Sequence, residues 1–171
     1  MKVIAPALLS ALVLLTSSAL ADSTLAKFKG GIGVIPVSSG QGTAATATVV
    51  NRNIVRGVQP AGQIWVIRDL DATVESDGRI SVKGRGLLLG GGNGIGTNAG
   101  ASVFATLLCA ITTTTFSAHS TTGTGVPLAA NGDFEIDDLL APAPRECNNP
   151  VLLIRNAANL AWFAAGIPDL D

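Results

Sequence analysis

The sequence predicts an all-β protein: an antiparallel β-sandwich with one disulfide, with a small β-barrel as the alternative. Three observations carry that expectation. Most segments alternate apolar and polar residues with period two, and helix-like stretches are scarce. Clusters of Gly, Asn, Asp and Pro interrupt the alternation at short intervals. Two cysteines sit in a chain whose opening reads as an export signal, the setting in which cysteines pair.

The chain begins "MKVIAPALLSALVLLTSSALAD". Lys2 precedes an apolar run that ends in Ala19-Leu20-Ala21, the layout of a secretory signal peptide cleaved after Ala21. Residues 1–21 are read as the signal and 22–171 as a single β domain. Removing 21 residues from 171 leaves 150, the length of one ordinary domain. Lys2 leaves with the signal, so 10 basic residues face 12 acidic ones, a net of −2. That near balance offers no electrostatic footprint for nucleic acid. The longest later apolar stretch, 101–111, is too short to span a bilayer, so no membrane insertion is expected after cleavage. The expected location is secreted or periplasmic.

In chain order the strand candidates are "TATVV", "GQIWVIRDLDATVE", "RISVKGRGLLL", "VPLA", "DFEID" and "PVLLIRN". About eight to ten strands of ordinary length fit such a chain. Short strands at this spacing indicate an Ig-like sandwich or a related Greek key. Register settles the turn at 76–78. A two-residue Asp77-Gly78 turn would set Glu75 beside Ile80. A three-residue loop, Ser76-Asp77-Gly78 with Gly78 left-handed, sets Val74 opposite Ile80, Ala72 opposite Val82 and Leu70 opposite Gly84. On the other side Glu75 meets Arg79, Asp71 meets Lys83 and Asp69 meets Arg85, and Arg68 faces Gly86. The same test on "VPLAANGDFEID" selects Ala130-Asn131-Gly132 as the loop. Leu128 then faces Phe134 and Val126 faces Ile136. A one-residue slip would invert every side chain, so this sorting specifies register.

The acidic run 69–77 is therefore read as a ladder of cross-strand ion pairs, each exposed pair being worth a few tenths of a kcal/mol. No calcium-loop spacing is present. Asp133, Asp137 and Asp138 are the remaining, weak, metal candidates, and no metal or other cofactor is expected. Cys109 and Cys147 are expected to form a disulfide closing a 38-residue separation. Such a closure contributes up to about 4 kcal/mol by chain entropy. His119 is the only histidine. With Ser117 or Ser120 and an Asp it allows a triad to be drawn, but no G-x-S-x-G frame surrounds either serine. "GGGNGIGTNAG" at 90–100 holds a dinucleotide-like Gly94-x-Gly96-x-x-Ala99. No capped helix or downstream acid follows, so it is read as a flexible glycine loop between strands.

Trp65, Ile67, Leu87 and Leu89 share one side of their strands, and Trp162-Phe163 closes the chain's apolar segments. Core packing is the first expectation for these side chains, with one ring of Trp162-Phe163 inside and the other at the surface. The alternative is an exposed binding surface of Trp65, Ile67, Leu87, Leu89 and Trp162. Arg68 and Arg155 interrupt apolar alternation and are expected to pair with carboxylates or carbonyls.

Together "GQIWVIRDLDATV", "DGRISVKGRGLLL", "GDFEIDDLL" and "PVLLIRN…WFAAGIP" resemble small exported bacterial proteins without an assigned activity. The resemblance covers most of the chain after residue 21 and implies a β-sandwich; it carries over no catalytic residue. The functional expectation is a secreted or periplasmic non-catalytic module that binds a protein or surface or serves as structure. The alternatives are an extracellular hydrolase or metal-dependent enzyme, and an inhibitor of a secreted enzyme using loop 90–100 as a wedge.

Overall fold

The computed structural model describes residues 23–39 and 50–170, so the expected signal, residues 1–21, and most of "TATVV" lie outside the described residues. Thirteen strands follow in order: β1 (Thr24–Gly33), β2 (Val37–Ser39), β3 (Val50–Arg52), β4 (Trp65–Val66), β5 (Asp69–Glu75), β6 (Arg79–Arg85) and β7 (Leu88–Leu89). Then come β8 (Ser102–Ala110), β9 (Phe116–Ser120), β10 (Val126–Pro127), β11 (Phe134–Leu139), β12 (Asn148–Asn156) and β13 (Trp162–Pro168). No helix occurs among the described residues. The strands outnumber the eight to ten expected because several are only two or three residues long.

Nine strands form one antiparallel sheet in the order β10-β8-β12-β13-β1-β5-β6-β11, with β9 beside β10 on the same edge of β8. The sheet curls into a half-barrel. Its two ends meet where Ala141 N–H donates to Ser120 O at 2.8 Å and Ser120 N–H donates to Ala141 O at 3.2 Å. β2-β3 and β4-β7 are separate two-stranded ribbons. The predicted register of 69–85 is the observed one: Asp69 lies opposite Arg85, Asp71 opposite Lys83 and Val74 opposite Ile80. It carries through the break after Val66, since Trp65 still lies opposite Leu89. Gly78 has a φ of 96°, as the three-residue loop requires.

The second predicted hairpin is corrected. Its tip forms, with Gly132 at a φ of 80° and Ala129 N–H donating to Asp133 O at 2.9 Å. Beyond the tip the two strands stay near each other, with Val126 and Ile136 lining one small cavity, but they take different hydrogen-bonded partners. Val126 pairs with Val103, while Phe134 and Ile136 pair with Gly84 and Val82. The charge ladder is corrected as well. Lys83 reaches Glu135 on β11 at 3.3 Å, and Arg79 reaches Asp77 at 2.8 Å. β11 brings acids alongside β6 that the two-stranded reading did not supply.

Inside the curl, Phe28, Leu70, Val74, Val82, Leu107 and Leu152 are fully buried. β8 is buried on both faces, from Val103 through Cys109. The reason is a second layer: the segment around Val55–Ala61 crosses outside β8, β12 and β13. Trp162 Nε1–H donates to Asn53 O at 3.0 Å, and Arg56 Nη1 donates to Leu108 O at 2.7 Å while its guanidinium lies over Phe116. Trp162 and Phe163 are consequently both buried, each 3% exposed, which corrects the one-in, one-out expectation.

Candidate functional site

The groups with chemical potential gather at the seam where the half-barrel's ends meet. Ser117 and His119 are two residues apart on β9 and so share a face. His119 lies opposite Leu107 and is buried at 8% exposure, while Ser117 lies opposite Cys109. His119 Nδ1 is 2.6 Å from Pro142 O, and Nε2 is 2.9 Å from Ser117 Oγ. A carbonyl only accepts, so Nδ1 carries the proton and, in the neutral ring, Nε2 accepts from the Ser117 hydroxyl. A serine hydroxyl donating to a histidine held by a third group is the arrangement that activates nucleophiles. Here the third group is a backbone carbonyl.

The Cys109–Cys147 disulfide forms as predicted and ties β8 to the chain entering β12. The same segment, 141–147, supplies Ala141 to the Ser120 bridge and Pro142 O to His119. Asp138 completes the seam: its Oδ2 accepts from Thr122 N–H and its Oδ1 from Leu139 N–H, both at 2.8 Å. The Thr122 amide, then the Leu139 amide, hold its carboxyl below the usual carboxylate range, outweighing the upward push of burial. Thr121 bonds across to β8, where its Oγ1 accepts from Ala105 N–H at 3.0 Å. Sequence reasoning missed the Asp138–Thr122 contact because those residues meet only through the curl, while Thr121 meets Ala105 as the continuation of the β8–β9 pairing.

The structure does not bring the metal candidates together. Asp133 Oδ1 accepts from Gly86 N–H at 3.0 Å and lies 3.8 Å from Arg68. Asp138 is spent on backbone amides, and Asp137 points outward on the exposed face of β11. Among the described residues no three His, Cys, Asp or Glu side chains form a metal-holding group. Arg68 sits over Gly86 as expected, with the Asp133 carboxylate as its partner. Arg155 finds a carbonyl instead: Nε and Nη2 donate to Leu160 O at 2.9 and 2.7 Å above the Phe104 ring. Burial pulls its guanidinium below the ordinary arginine value.

Core packing, the first expectation for these side chains, is the observed arrangement, and the alternative of an exposed aromatic binding surface is corrected. Trp65 is 4% exposed, Leu87 0% and Trp162 3%, and Ile67 and Leu89 are half-buried against the same cluster. Trp65 stacks on Phe163 with ring centroids 3.9 Å apart and planes at 14°. This pair floors an open groove of about 630 Å³ at one end of the barrel, rimmed by Gly100, Ser102, Thr124 and Asn156. The glycine loop 90–100 beside it is pinned where a flexible connector was expected. Gly96 N–H donates to Leu89 O, Leu89 N–H to Thr97 O, and Asn98 Nδ2 to both Leu128 O and Ala129 O. Ile95 stands exposed within it.

The other large surface is the outward face of β1, β5, β6 and β11. Its cross-strand rows are Lys29–Asp71–Lys83–Glu135 and Lys27–Thr73–Ser81–Asp137. A third row, at the turn end, runs Thr24–Glu75–Arg79–Leu139. A depression of about 680 Å³ lies along this face, bordered by Glu75, Arg79, Ser81, Asp137 and Leu139.

No family model matches the chain, and neither a curated protein nor a solved structure does.

Proposed function

We propose that the chain is an exported, non-catalytic β module, secreted or periplasmic, that binds a protein or surface partner or serves as structure. The observation supporting this reading is how its reactive groups are engaged. Cys109 and Cys147 are joined to each other, both nitrogens of His119 are bonded, and Asp138 caps backbone amides. His119 to Pro142 and Asp138 to Thr122 cross the seam of one curled sheet, and the disulfide anchors the segment 141–147 that runs along it. The disulfide accords with an oxidising compartment outside the cytoplasm. The resemblance to small exported bacterial proteins belongs to the same reading. The test joins location to chemistry. Chain collected from outside the cytoplasm should begin at Asp22 and leave ester, peptide and glycoside substrates unchanged. Turnover that disappears in His119→Ala would overturn the non-catalytic half of the reading.

One contact favours a second reading, an extracellular hydrolase. Ser117 Oγ lies 2.9 Å from His119 Nε2, and Pro142 O fixes the tautomer that makes Nε2 a base. On this reading Ser117 is the nucleophile and His119 the general base. A fluorophosphonate probe separates the two readings. Labelling of Ser117 that is lost in His119→Ala supports the hydrolase; an unlabelled Ser117 in folded protein supports the module. The metal-dependent variant, with Asp133, Asp137 or Asp138 as ligands, requires calcium or zinc to raise the melting temperature.

A further inference from the structure

The charges on the outward face of β1, β5, β6 and β11 follow a rule that a single ladder does not require. Lys29, Asp71, Lys83 and Glu135 read plus, minus, plus, minus across the four strands. Lys27, Thr73, Ser81 and Asp137 read plus, neutral, neutral, minus. At the turn end Thr24, Glu75, Arg79 and Leu139 read neutral, minus, plus, neutral. Each row changes sign when reversed. These three rows are antisymmetric about the line between β5 and β6, and Asp69 opposite Arg85 continues the order. Asp133, the acid beyond Arg85, falls outside it and is engaged with Gly86 N–H and Arg68.

A second copy laid face to face about a two-fold axis along that line presents each row in reverse order. Every positive position then meets a negative one: Lys29 faces Glu135 of the other copy, Lys27 faces Asp137, and Asp71 faces Lys83. Such self-complementarity is what an isologous interface needs. Much of this charge is unused within one chain. Lys27, Lys29, Asp71 and Asp137 have no ion pair among the described residues, and Lys27, Lys29, Asp71, Lys83, Glu135 and Asp137 are all exposed. The 680 Å³ depression lies on this face toward its turn end, with the exposed side chain of Leu139 at its border.

We propose that this face is a homodimer interface, with a second copy of the chain as its occupant. Four strands at ordinary spacing, each about seven residues long, offer roughly 450 Å² per partner. That is below the standard size, so the dimer is weak and reversible. Its charges are screened by salt, so it dissociates as ionic strength rises. The inference rests on charge placement alone and is independent of whether Ser117 and His119 do chemistry.

The test uses charge reversal at two residues that do not touch within one chain. Lys29 and Glu135 are three strand spacings apart, roughly 14 Å. Sedimentation equilibrium of the purified chain at low ionic strength should show a monomer–dimer equilibrium. Lys29→Glu alone and Glu135→Lys alone should each weaken it about tenfold or more, because each brings like charges together across the axis. Mixing the two single variants should restore the dimer, since the introduced glutamate of one then faces the introduced lysine of the other. The double variant should associate like the parent. Lys27→Asp with Asp137→Lys repeats the design on the second row, and circular dichroism checks that each variant is folded. A parent chain that is monomeric at high concentration and low salt overturns the proposal. So do folded single variants that dimerise unchanged, or a mixture that stays monomeric.

Discussion

At residues 76–78 and again at 130–132 the chain reverses through the same device, a three-residue loop ending in a glycine. Gly78 has a φ of 96° and Gly132 a φ of 80°. From the first tip, β5 and β6 stay paired for six registered positions. From the second, Gly132 N–H donates to Ala129 O and Ala129 N–H to Asp133 O, and then β10 pairs with β8 and β11 with β6. Turn chemistry sets where the chain reverses; neighbours decide whether the arms remain partners. Pro127 lacks an N–H and suits β10 to a short edge pairing. β11 packs instead along β6, where Phe134 lies over Gly84 and Glu135 reaches Lys83.

The comparison breaks most severely at Phe134. Its ring lies so close over Gly84 that a Cβ there would collide with it, and the side chain is 7% exposed. Phe134→Ala is expected to cost roughly 3–5 kcal/mol in denaturant unfolding, the range for a buried phenylalanine. A cost near zero would show that β11 is not held by β6.

Next come the two glycines. A Cβ on Gly132 would lie 2.6 Å from both the nitrogen and the oxygen of Leu87, and backbone cannot swing away. Gly132→Ala should cost about 2–3 kcal/mol, combining the positive φ with that collision. A Cβ on Gly78 would meet the Ala143 side chain at 2.9 Å, beside an exposed segment. Gly78→Ala should cost about 1 kcal/mol, mostly for the backbone conformation. Equal costs in thermal or chemical melts would mean that the second hairpin is no tighter than the first.

The difference between the hairpins also marks how far sequence reasoning reaches. The pairing of 69–85 was legible because its partners are adjacent in the chain and charge sorts cleanly from apolar side chains. Cys109 and Cys147 were legible because no other cysteine competes. What escaped depends on closure of the sheet. Asp138 and Thr122, His119 and Pro142, and Arg56 and Leu108 meet only once β11 and the covering segment arrive from elsewhere in the chain. Trp65 shows the cost of a two-strand view. On its ribbon it shares a side with charged residues, yet it stacks on Phe163 from the far end of the chain.

The smallest effect tests the second hairpin's arms at the seam. Two backbone amides, Thr122 first and Leu139 second, depress the Asp138 carboxyl in the folded chain. A group whose folded pKa is depressed contributes stability that is fully present above its unfolded pKa, near 3.9, and is lost as pH falls through the lower folded value. A carboxamide in its place would keep one acceptor oxygen and no charge, so Asp138→Asn should lower the unfolding midpoint at neutral pH. The gap between parent and variant should then narrow as pH drops below about 4. The Thr122 amide should exchange its hydrogen faster in the variant at neutral pH, because that N–H has lost its anionic partner. A gap that stays constant from neutral to acid pH would show that Asp138 is not acting through its charge. The seam would then rest on the Ser120–Ala141 bridge and the disulfide-anchored segment beside it.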